Sequence, residues 1–274
     1  MDKFLVKSSR YPYKTIPHYL EFPIKTRQDW LEFLKRLNPD TPGRYPENWD
    51  KLVKQYGKRD YPLGIYFGSM IGKVRDWIGF ENLAYMVYDN RSLVEEMVET
   101  LCNLSLKVIE KALKDIQFDF ASGWEDICYN SGPLISPRMF HEIVTPRYKR
   151  ITDLLHKYGI DVIWTDCDGN IIPLIPEFLE GGINCMFPVE VRAGSDPVKI
   201  REMFANKVLM MGGIDKMALL KGPVAIEKEL LRLKPIVDQG GFIPHIDHRT
   251  PADVTLESYK FYLKLKREIF NCGK

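Results

Sequence analysis

The sequence predicts a parallel α/β fold of the (β/α)8 TIM-barrel class, and three features carry this prediction. Six short apolar segments alternate with helix-like segments from Pro62 onward. The apolar segments show no regular alternation with polar residues, which is typical of parallel strands buried on both faces. Each segment ends in polar residues, and no GxGxxG turn follows the first of them, which favours a barrel over a doubly wound open sheet. Because only six strands are clear, either the barrel is incomplete or the amino-terminal region supplies two further strands.

Composition and charge argue against several classes of protein. The chain has 274 residues, of which 45% are hydrophobic, so one large domain with a substantial core is expected. The 39 basic and 37 acidic residues give a formal net charge of +2, which favours neither nucleic acid nor an anionic membrane as a partner. The first residues lack a signal-like apolar stretch, and no apolar run is long enough to span a membrane. We therefore expect a cytoplasmic protein, and five cysteines without a CxxC pair are typical of reduced thiols.

Residues 1–60 are interpreted as an amino-terminal cover segment with one helix, and residues 61–274 as the barrel domain. The helix is predicted over residues 26–37, because Thr26 can cap its first turn while Trp30 and Phe33 lie on one apolar face. The rest of this segment is rich in Pro, Tyr, Arg and Lys. It has too few apolar strands to form a core of its own.

The barrel domain is predicted from strands that each lead into a helix. The six strand segments read PLGIYFGSM, FDFASGWED, DVIWTDCDGN, NCMFPVEV, VLMMGGID and GFIPHID. Helices are predicted over residues 80–88, 92–114, 136–158, 172–180, 197–205, 216–237 and 251–270. Strands that alternate with helices at this spacing pair in parallel through crossover connections.

The polar strand tips form the candidate site, because the carboxyl ends of parallel strands lie at one edge of a sheet. The densest tip is GGFIPHIDHRTPADV, residues 240–254, where a carboxylate, an imidazole and a guanidinium follow one another. Two structural alternatives stay open: Asp215 as only the N-cap of the next helix, and Glu190 with Arg192 as an ion pair that stabilises the fold. In chain order, the candidate residues are Trp124, Glu125, Asp126, Asp166, Asp168, Asn170, Glu190, Arg192, Asp215, Lys216, Asp247, His248 and Arg249.

The DxDG segment, residues 166–169, suggests either a metal site or an acid–base site. Asp166 and Asp168 alternate along an extended strand, so both carboxylates point to one face, while Cys167 points to the opposite face and is expected in the core. With His248, the two carboxylates offer oxygen and nitrogen ligands to a divalent ion such as zinc. In the metal-free alternative, Asp166 or Asp168 binds a cationic or hydroxyl-bearing part of a substrate. Either carboxyl group can also act as a general acid or base if burial among other carboxylates raises its pKa.

Four segments in order resemble the uroporphyrinogen decarboxylase superfamily, which also contains cobalamin-dependent methyltransferases. The segments are GWEDICYNSGPLISPRMF, DCDGNIIPLIPEFLEGGINCMFPVEV, GGIDK and GGFIPHIDHRTPADV, and the similarity runs from about Tyr19 to the carboxyl terminus. The resemblance implies a (β/α)8 barrel, a polar mouth at the strand carboxyl ends and often a dimer. Members usually carry further residues before the point where this chain starts. The resemblance therefore also implies a barrel completed by a partner chain or by dimerisation.

Departures from the family motifs favour one branch of the superfamily. The arginine-rich segment RQAGRYLPEY, with which tetrapyrrole decarboxylases hold substrate carboxylates, is absent. The His-x-Cys pair of the zinc methyltransferases that use coenzyme M is also absent. Asp166 and Asp168 stand in its place, and His248 stands near the position of a later cysteine. The subgroup with DxDG and DHR at these places is associated with methyl transfer from small methylated donors to a corrinoid protein.

We therefore expect a corrinoid-linked methyltransferase-like enzyme, as a homodimer, that works with a partner corrinoid protein. The expected catalytic residues are His248, Asp166 and Asp168, which bind a metal or polarise the methyl donor, and Glu125 or Asp126 as the proton donor. The expected substrate-binding residues are Arg249, Arg192, Glu190, Asp247, Asp215, Asn170 and Trp124, with the two arginines orienting an anionic group.

Two alternatives come from other classes of function. One is a decarboxylase of a small or tetrapyrrole carboxylic acid, whose cationic cluster would be Arg75, Arg192, Lys216 and Arg249. The other is a truncated, non-catalytic chain that serves as a binding partner.

Overall fold

A six-stranded sheet is the central feature of the fold. The computed structural model describes residues 6–7 and 18–271. The sheet has the order β6-β5-β4-β3-β2-β1, and the β3–β4, β4–β5 and β5–β6 pairs are parallel. All six predicted strands are confirmed, as β1 (Gly64–Gly68), β2 (Phe120–Trp124), β3 (Val162–Asp166), β4 (Cys185–Phe187), β5 (Leu209–Ile214) and β6 (Phe242–Ile246).

Helices follow the strands along most of the chain. Two short antiparallel pairs lie outside the main sheet: Val6–Lys7 with His18–Tyr19, and Cys128–Tyr129 with Gly132–Pro133. The α-helices are α1 (Arg27–Leu34), α2 (Trp49–Tyr56), α3 (Ile71–Ile78), α4 (Phe80–Asp89), α5 (Arg91–Asp115), α6 (Pro137–Ile143), α7 (Thr145–Lys157), α8 (Ile175–Glu180), α9 (Pro197–Phe204), α10 (Pro223–Asp238) and α11 (Leu256–Ile269).

Several predicted helices are shorter or interrupted in the structure, and three differ most. The helix predicted over residues 136–158 divides at Val144 into α6 and α7. The one predicted over residues 216–237 is a 3-10 helix over Lys216–Lys221, followed by α10 after Gly222, whose φ is +88°. The last helix begins at Leu256, because the Thr255 hydroxyl accepts the Ser258 N–H at 3.1 Å and caps it there. In addition, α3 was not predicted.

The described chain divides into two compact units. The first comprises Met1–Ala121 and His141–Asp161, and the second comprises Ser122–Phe140 and Val162–Lys274. The predicted boundary near residue 60 is not among these divisions and stays a prediction. Every predicted site residue from Trp124 to Arg249 belongs to the second unit, and Arg75 of the alternative cationic cluster belongs to the first.

In the first unit, the predicted amino-terminal helix packs onto later helices. A capping box between Thr26 and Asp29 begins α1. Trp30 is fully buried, and its indole N–H donates to the Glu96 carboxylate on α5 at 2.8 Å. Its ring centroid lies 6.0 Å from that of Trp77 on α3. The segment before residue 60 therefore contributes to the core of the first unit.

In the second unit, residues on β3 to β6 alternate between two faces. One face is buried and holds Ile163, Thr165, Met186, Met210 and Phe242. The other face is less buried and includes Asp166, the last residue of β3. Because this carboxylate lies at the end of β3, the less buried face leads directly to the polar strand tips.

Two findings concern cysteines and membrane helices. Within residues 18–271, Cys102, Cys128, Cys167 and Cys185 are buried and form no disulfide, while Cys272 lies outside the described residues. Cys167 is in the core, as expected. None of the helices in the described ranges combines the length and apolarity that crossing a membrane requires.

Close packing of β5 against the segment after β4 leads to a first prediction. Gly212 has a φ of +101°, and a Cβ placed on it would lie 1.8 Å from the Pro188 carbonyl oxygen. Gly212→Ala should therefore lower the free energy of unfolding by about 3 kcal/mol or more, since left-handed strain and overpacking add. Urea denaturation measures this loss.

Gly222→Ala is the matched control for that prediction. Gly222 has a φ of +88°, and a Cβ placed on it would meet no atom within 4 Å. Both glycines have a positive φ, but no clash occurs at Gly222, so a smaller loss of about 1–3 kcal/mol from backbone strain alone is expected. Equal losses in the two variants would contradict the role assigned to the Pro188 contact.

Candidate active site

A carboxylate–histidine cluster forms where β3 and β6 end. Asp166 is the last residue of β3, Asp168 follows two residues later, and His248 follows β6. The His248 Nε2 atom lies 3.2 Å from Asp168 Oδ2. Their side chains are 32% and 38% exposed, so the pair is reachable from solvent. The parallel order of the strands therefore brings together residues that are 80 positions apart.

Burial and neighbouring charges raise the pKa of both aspartates above the usual value of an aspartate. Burial, followed by the repulsion of Asp168 and Asp126, raises the pKa of Asp166 to about 7, although His248 acts in the opposite direction. Burial and the charge of Asp126 also raise the pKa of Asp168. At neutral pH, Asp166 can therefore exchange a proton readily or, when ionised, attract a cation.

The backbone of the DxDG segment requires its glycine. Gly169 has a φ of +89°, and a Cβ there would lie 2.6 Å from the Cys128 backbone. The buried Ser195 hydroxyl donates to the Gly169 carbonyl at 2.9 Å and accepts the Ile171 N–H at 3.0 Å. Ser195 was not predicted as part of the site, because a serine in a GSDP turn carries no distinctive sequence signal.

The tip of β2 is attached to the end of β3. The backbone N–H groups of Glu125 and Asp126 donate to the Asp166 carbonyl at 2.8 and 3.4 Å. Asp126 has a φ of +50°, which is unfavourable for a residue with a side chain. Glu125 is fully buried. The charge of Asp126 helps to raise the pKa of both Asp166 and Asp168. The proton-donor role expected for Glu125 or Asp126 stays a prediction.

Two ion pairs form at the tips of β4 and β5, but with other partners than predicted. The Lys216 ammonium donates to Glu190 at 3.1 Å, and Arg192 pairs with Asp215 at 2.7 Å. The structural alternative of an ion pair between Glu190 and Arg192 is not what forms, because each of the two residues pairs with the tip of β5. Asp215 also accepts the Met217 N–H at 2.9 Å and so caps the 3-10 helix, but its pair with Arg192 means that capping is not its only contact. Glu190 in turn accepts the Gly169 N–H at 3.1 Å.

Asp247 connects these loops from below the surface. The side chain is fully buried, and its two oxygens accept the Val191 N–H at 2.8 Å and the Lys216 N–H at 3.1 Å. Burial raises the pKa of this carboxyl group. Burial and two backbone hydrogen bonds favour a role in positioning these loops, and the substrate contact expected for Asp247 stays a prediction.

The remaining predicted residues lie near these tips with roles that stay predictions. The Asn170 side-chain oxygen accepts the Ile172 N–H at 3.4 Å. Trp124 is half-buried at the end of β2, and Arg249 is exposed next to His248.

Three rings on the less buried face of β3 to β6 were missed from the sequence. The Trp164 and Phe187 ring centroids are 5.3 Å apart, and those of Phe187 and His245 are 5.6 Å apart. We call these three residues the aromatic face. Each lies inside an apolar strand segment and is only half-buried. Without the strand register, nothing distinguishes such residues from ordinary core residues.

The three residues predicted to bind a metal are not gathered around one point. Among the described residues, Asp166, Asp168 and His248 do not bring one ligand atom each within 4.8 Å of one another. The Asp168 and His248 atoms that would bind an ion are instead directed at each other. Zinc at these residues stays a prediction that elemental analysis can test.

Fold and site together define an α/β protein of the TIM-barrel class with ionisable residues gathered at the strand carboxyl ends. The family model for uroporphyrinogen decarboxylase (URO-D) matches residues 15–269, and the chain belongs to this family. A solved structure of a methyltransferase from Methanosarcina mazei is similar to this chain, with a TM-score of 0.62 and 17% sequence identity. The similarity covers 98% of this chain and 76% of the methyltransferase chain. At that identity the likeness shows the fold. No curated protein sequence matches the chain. The predicted fold class and family are thus confirmed.

Proposed function

We propose that this chain is an enzyme that moves a methyl group from a small methylated donor to a corrinoid carried by a partner protein. Membership of the URO-D family and the likeness to a methyltransferase support methyltransferase or decarboxylase-like chemistry. The observation that favours methyl transfer is the cluster of Asp166, Asp168 and His248, which presents carboxyl and imidazole groups to solvent.

The charge balance of the site disfavours a polycarboxylate substrate. Of the cations suggested for a decarboxylase, Arg192 is paired with Asp215 and Lys216 with Glu190. The guanidinium group of Arg192 and the ammonium group of Lys216 are therefore each already paired with a carboxylate. The neighbouring Asp166 and Asp168 would repel an incoming carboxylate. A decarboxylase would need the opposite arrangement, with cations in excess.

The chain's own residues would position the donor and respond to its change in charge. A bound Co(I) corrinoid would supply the nucleophile that accepts the methyl group. Asp168 orients the His248 ring through their hydrogen bond. Asp166 can hold or release a proton at its carboxyl group near neutral pH. Asp247 and Glu190 hold the surrounding loops in place through backbone hydrogen bonds.

A spectroscopic assay tests the proposed function. Purified protein is mixed with a Co(I) corrinoid carrier protein and, in turn, with methylated amines, ethers and thioethers. We expect the methyl-Co(III) absorbance to appear with one donor class, because the site would select donors by charge and shape. Release of carbon dioxide from carboxylic acids without a corrinoid would contradict the proposal. The homodimer and the completion of the barrel by another chain stay predictions, which sedimentation analysis can test.

A further inference from the structure

We propose that the methyl donor is a methylated ammonium compound, held between the aromatic face and the carboxylates of Asp166 and Asp168. This inference rests on the proposed function for its chemistry. The binding site that it describes can be tested without any methyl transfer.

Strand register places the rings and the carboxylate of Asp166 on the same face. Trp164 and Asp166 are two residues apart on β3, so their side chains point to one side of the sheet. Phe187 is the register partner of Asp166 on β4, and its ring contacts those of Trp164 and His245. The carboxylate therefore stands at the end of a row of aromatic rings.

Partial exposure of the rings points to a ligand. Trp164, Phe187 and His245 are each only half-buried, although Trp164 and Phe187 lie on inner strands of the sheet. Ile243, which precedes His245 by two residues on β6, is 64% exposed. The face thus offers aromatic and aliphatic carbon to the N-methyl groups of a ligand, which are themselves apolar.

Aromatic rings and carboxylates attract an ammonium ion for related reasons. The negative face of an aromatic ring attracts a cation within about 6 Å of its centroid, and methylated ammonium groups are bound in this way because they are weakly hydrated. A carboxylate next to the rings adds direct charge attraction. Both terms act in the same direction, and neither favours a carboxylate or a neutral ether.

The positive groups at the tips of β4 and β5 do not cancel this attraction. Lys216 and Arg192 are each paired with an acidic side chain. Burial lowers the pKa of His245, so its ring is neutral at neutral pH and adds aromatic surface without charge. His248 shares its hydrogen bond with Asp168. Arg249 is exposed and follows His248 along the chain.

Methyl transfer from such a donor requires no proton transfer to the leaving group. The bond between nitrogen and the methyl carbon breaks, and its electron pair stays on nitrogen, which leaves as a neutral amine. The methyl group would pass to the Co(I) corrinoid of the partner protein, which would supply the electron pair of the new bond. Since the nitrogen loses its charge, the carboxylates contribute to binding and orientation of the donor.

Calorimetry of the intact protein tests the ammonium site directly. The probes are choline and 3,3-dimethylbutan-1-ol, which has the same shape but no charge, at constant ionic strength. We expect choline to bind at least about tenfold more tightly than its neutral analogue. Equal binding of the two, tighter binding of the neutral analogue, or binding of propionate in their place would overturn the proposal.

Substitutions locate the binding. The isosteric Asp166→Asn should weaken choline binding at least about fivefold and change binding of the neutral analogue less than about twofold. Trp164→Leu should also weaken choline binding at least about fivefold, and by more than it weakens binding of the neutral analogue, which loses apolar contact but no attraction to the ring face. Phe261→Leu, on the exposed side of α11, is the control and should bind choline like wild type. Choline binding that survives both site variants would overturn the assignment. If choline binds at this site but no donor yields methyl-Co(III), the ammonium site stands and the proposed function fails.

Discussion

Asp166→Asn should make the protein more stable at pH 8 while it lowers kcat/KM for methyl transfer by at least about tenfold. The pKa of this carboxyl group is about 7 in the folded protein, against 3.8 without the protein environment. As pH rises, the Asp166 carboxyl group therefore loses its proton at a lower pH in the unfolded chain than in the folded protein. The stability of the wild type falls as pH rises from about 4 to about 7. Asparagine does not ionise and avoids this loss.

The size of this gain follows from the difference between the two pKa values. A tenfold change in acidity corresponds to about 1.4 kcal/mol, but Asp166 is partly exposed, and solvent screens its charge. We therefore expect a gain of about 1–2 kcal/mol in the free energy of unfolding at pH 8 and almost none at pH 4. Urea denaturation at the two pH values measures it. Activity falls because the variant lacks the charge that attracts and orients the donor.

Asp153→Asn serves as the control for Asp166→Asn. Asp153 is an exposed residue on α7 that pairs with Lys149, and such pairs contribute little to stability. Its substitution should change stability by less than about 0.5 kcal/mol at either pH and leave activity intact. A stability difference for Asp166→Asn that is the same at pH 4 and pH 8 would contradict the raised pKa.

Asp247→Ala should lower the free energy of unfolding by about 2–5 kcal/mol. The substitution leaves the part-buried N–H groups of Val191 and Lys216 without their acceptor, and a buried group left in this way costs about 1–3 kcal/mol. Asp247→Asn retains one acceptor oxygen and should lose less. Urea denaturation ranks the three proteins.

Activity of Asp247→Asn separates a positioning role from a role in stability alone. If Asp247 positions the loops that carry Glu190 and Lys216, kcat of the folded Asn variant should fall several-fold while KM for the donor changes less. A folded Asn variant with wild-type kcat, or an Ala variant within about 0.5 kcal/mol of wild type, would contradict the positioning role.

Much of the fold could be predicted because buried parallel strands appear in the sequence as short apolar segments. Segments such as VIWTD and LMMGGI are short, apolar and followed by glycine or acidic residues, so all six strands were located. The breaks in the long helices were not predicted. At Val144 the apolar periodicity continues through the break, so no signal in the pattern separates α6 from α7.

The site could be predicted only as far as topology determines it. Parallel strands place Asp168 and His248 at one edge, and they form a hydrogen bond there. The partners of Glu190 and Arg192 depend on loop conformation, which residue types do not reveal. The burial of Asp247 depends on the same loops. The aromatic face depends on strand register, and Trp164 in isolation resembles any core residue.

The rate of methyl transfer by His248→Gln tests the central claim most directly. His156→Gln is the matched control, because His156 is exposed on α7. With the donor class found for wild type, and with unchanged thermal unfolding as a check on folding, methyl-Co(III) formation should slow at least about 100-fold in His248→Gln and remain at the wild-type rate in His156→Gln. A wild-type rate in His248→Gln would contradict the assignment of the Asp166, Asp168 and His248 cluster as the reactive site.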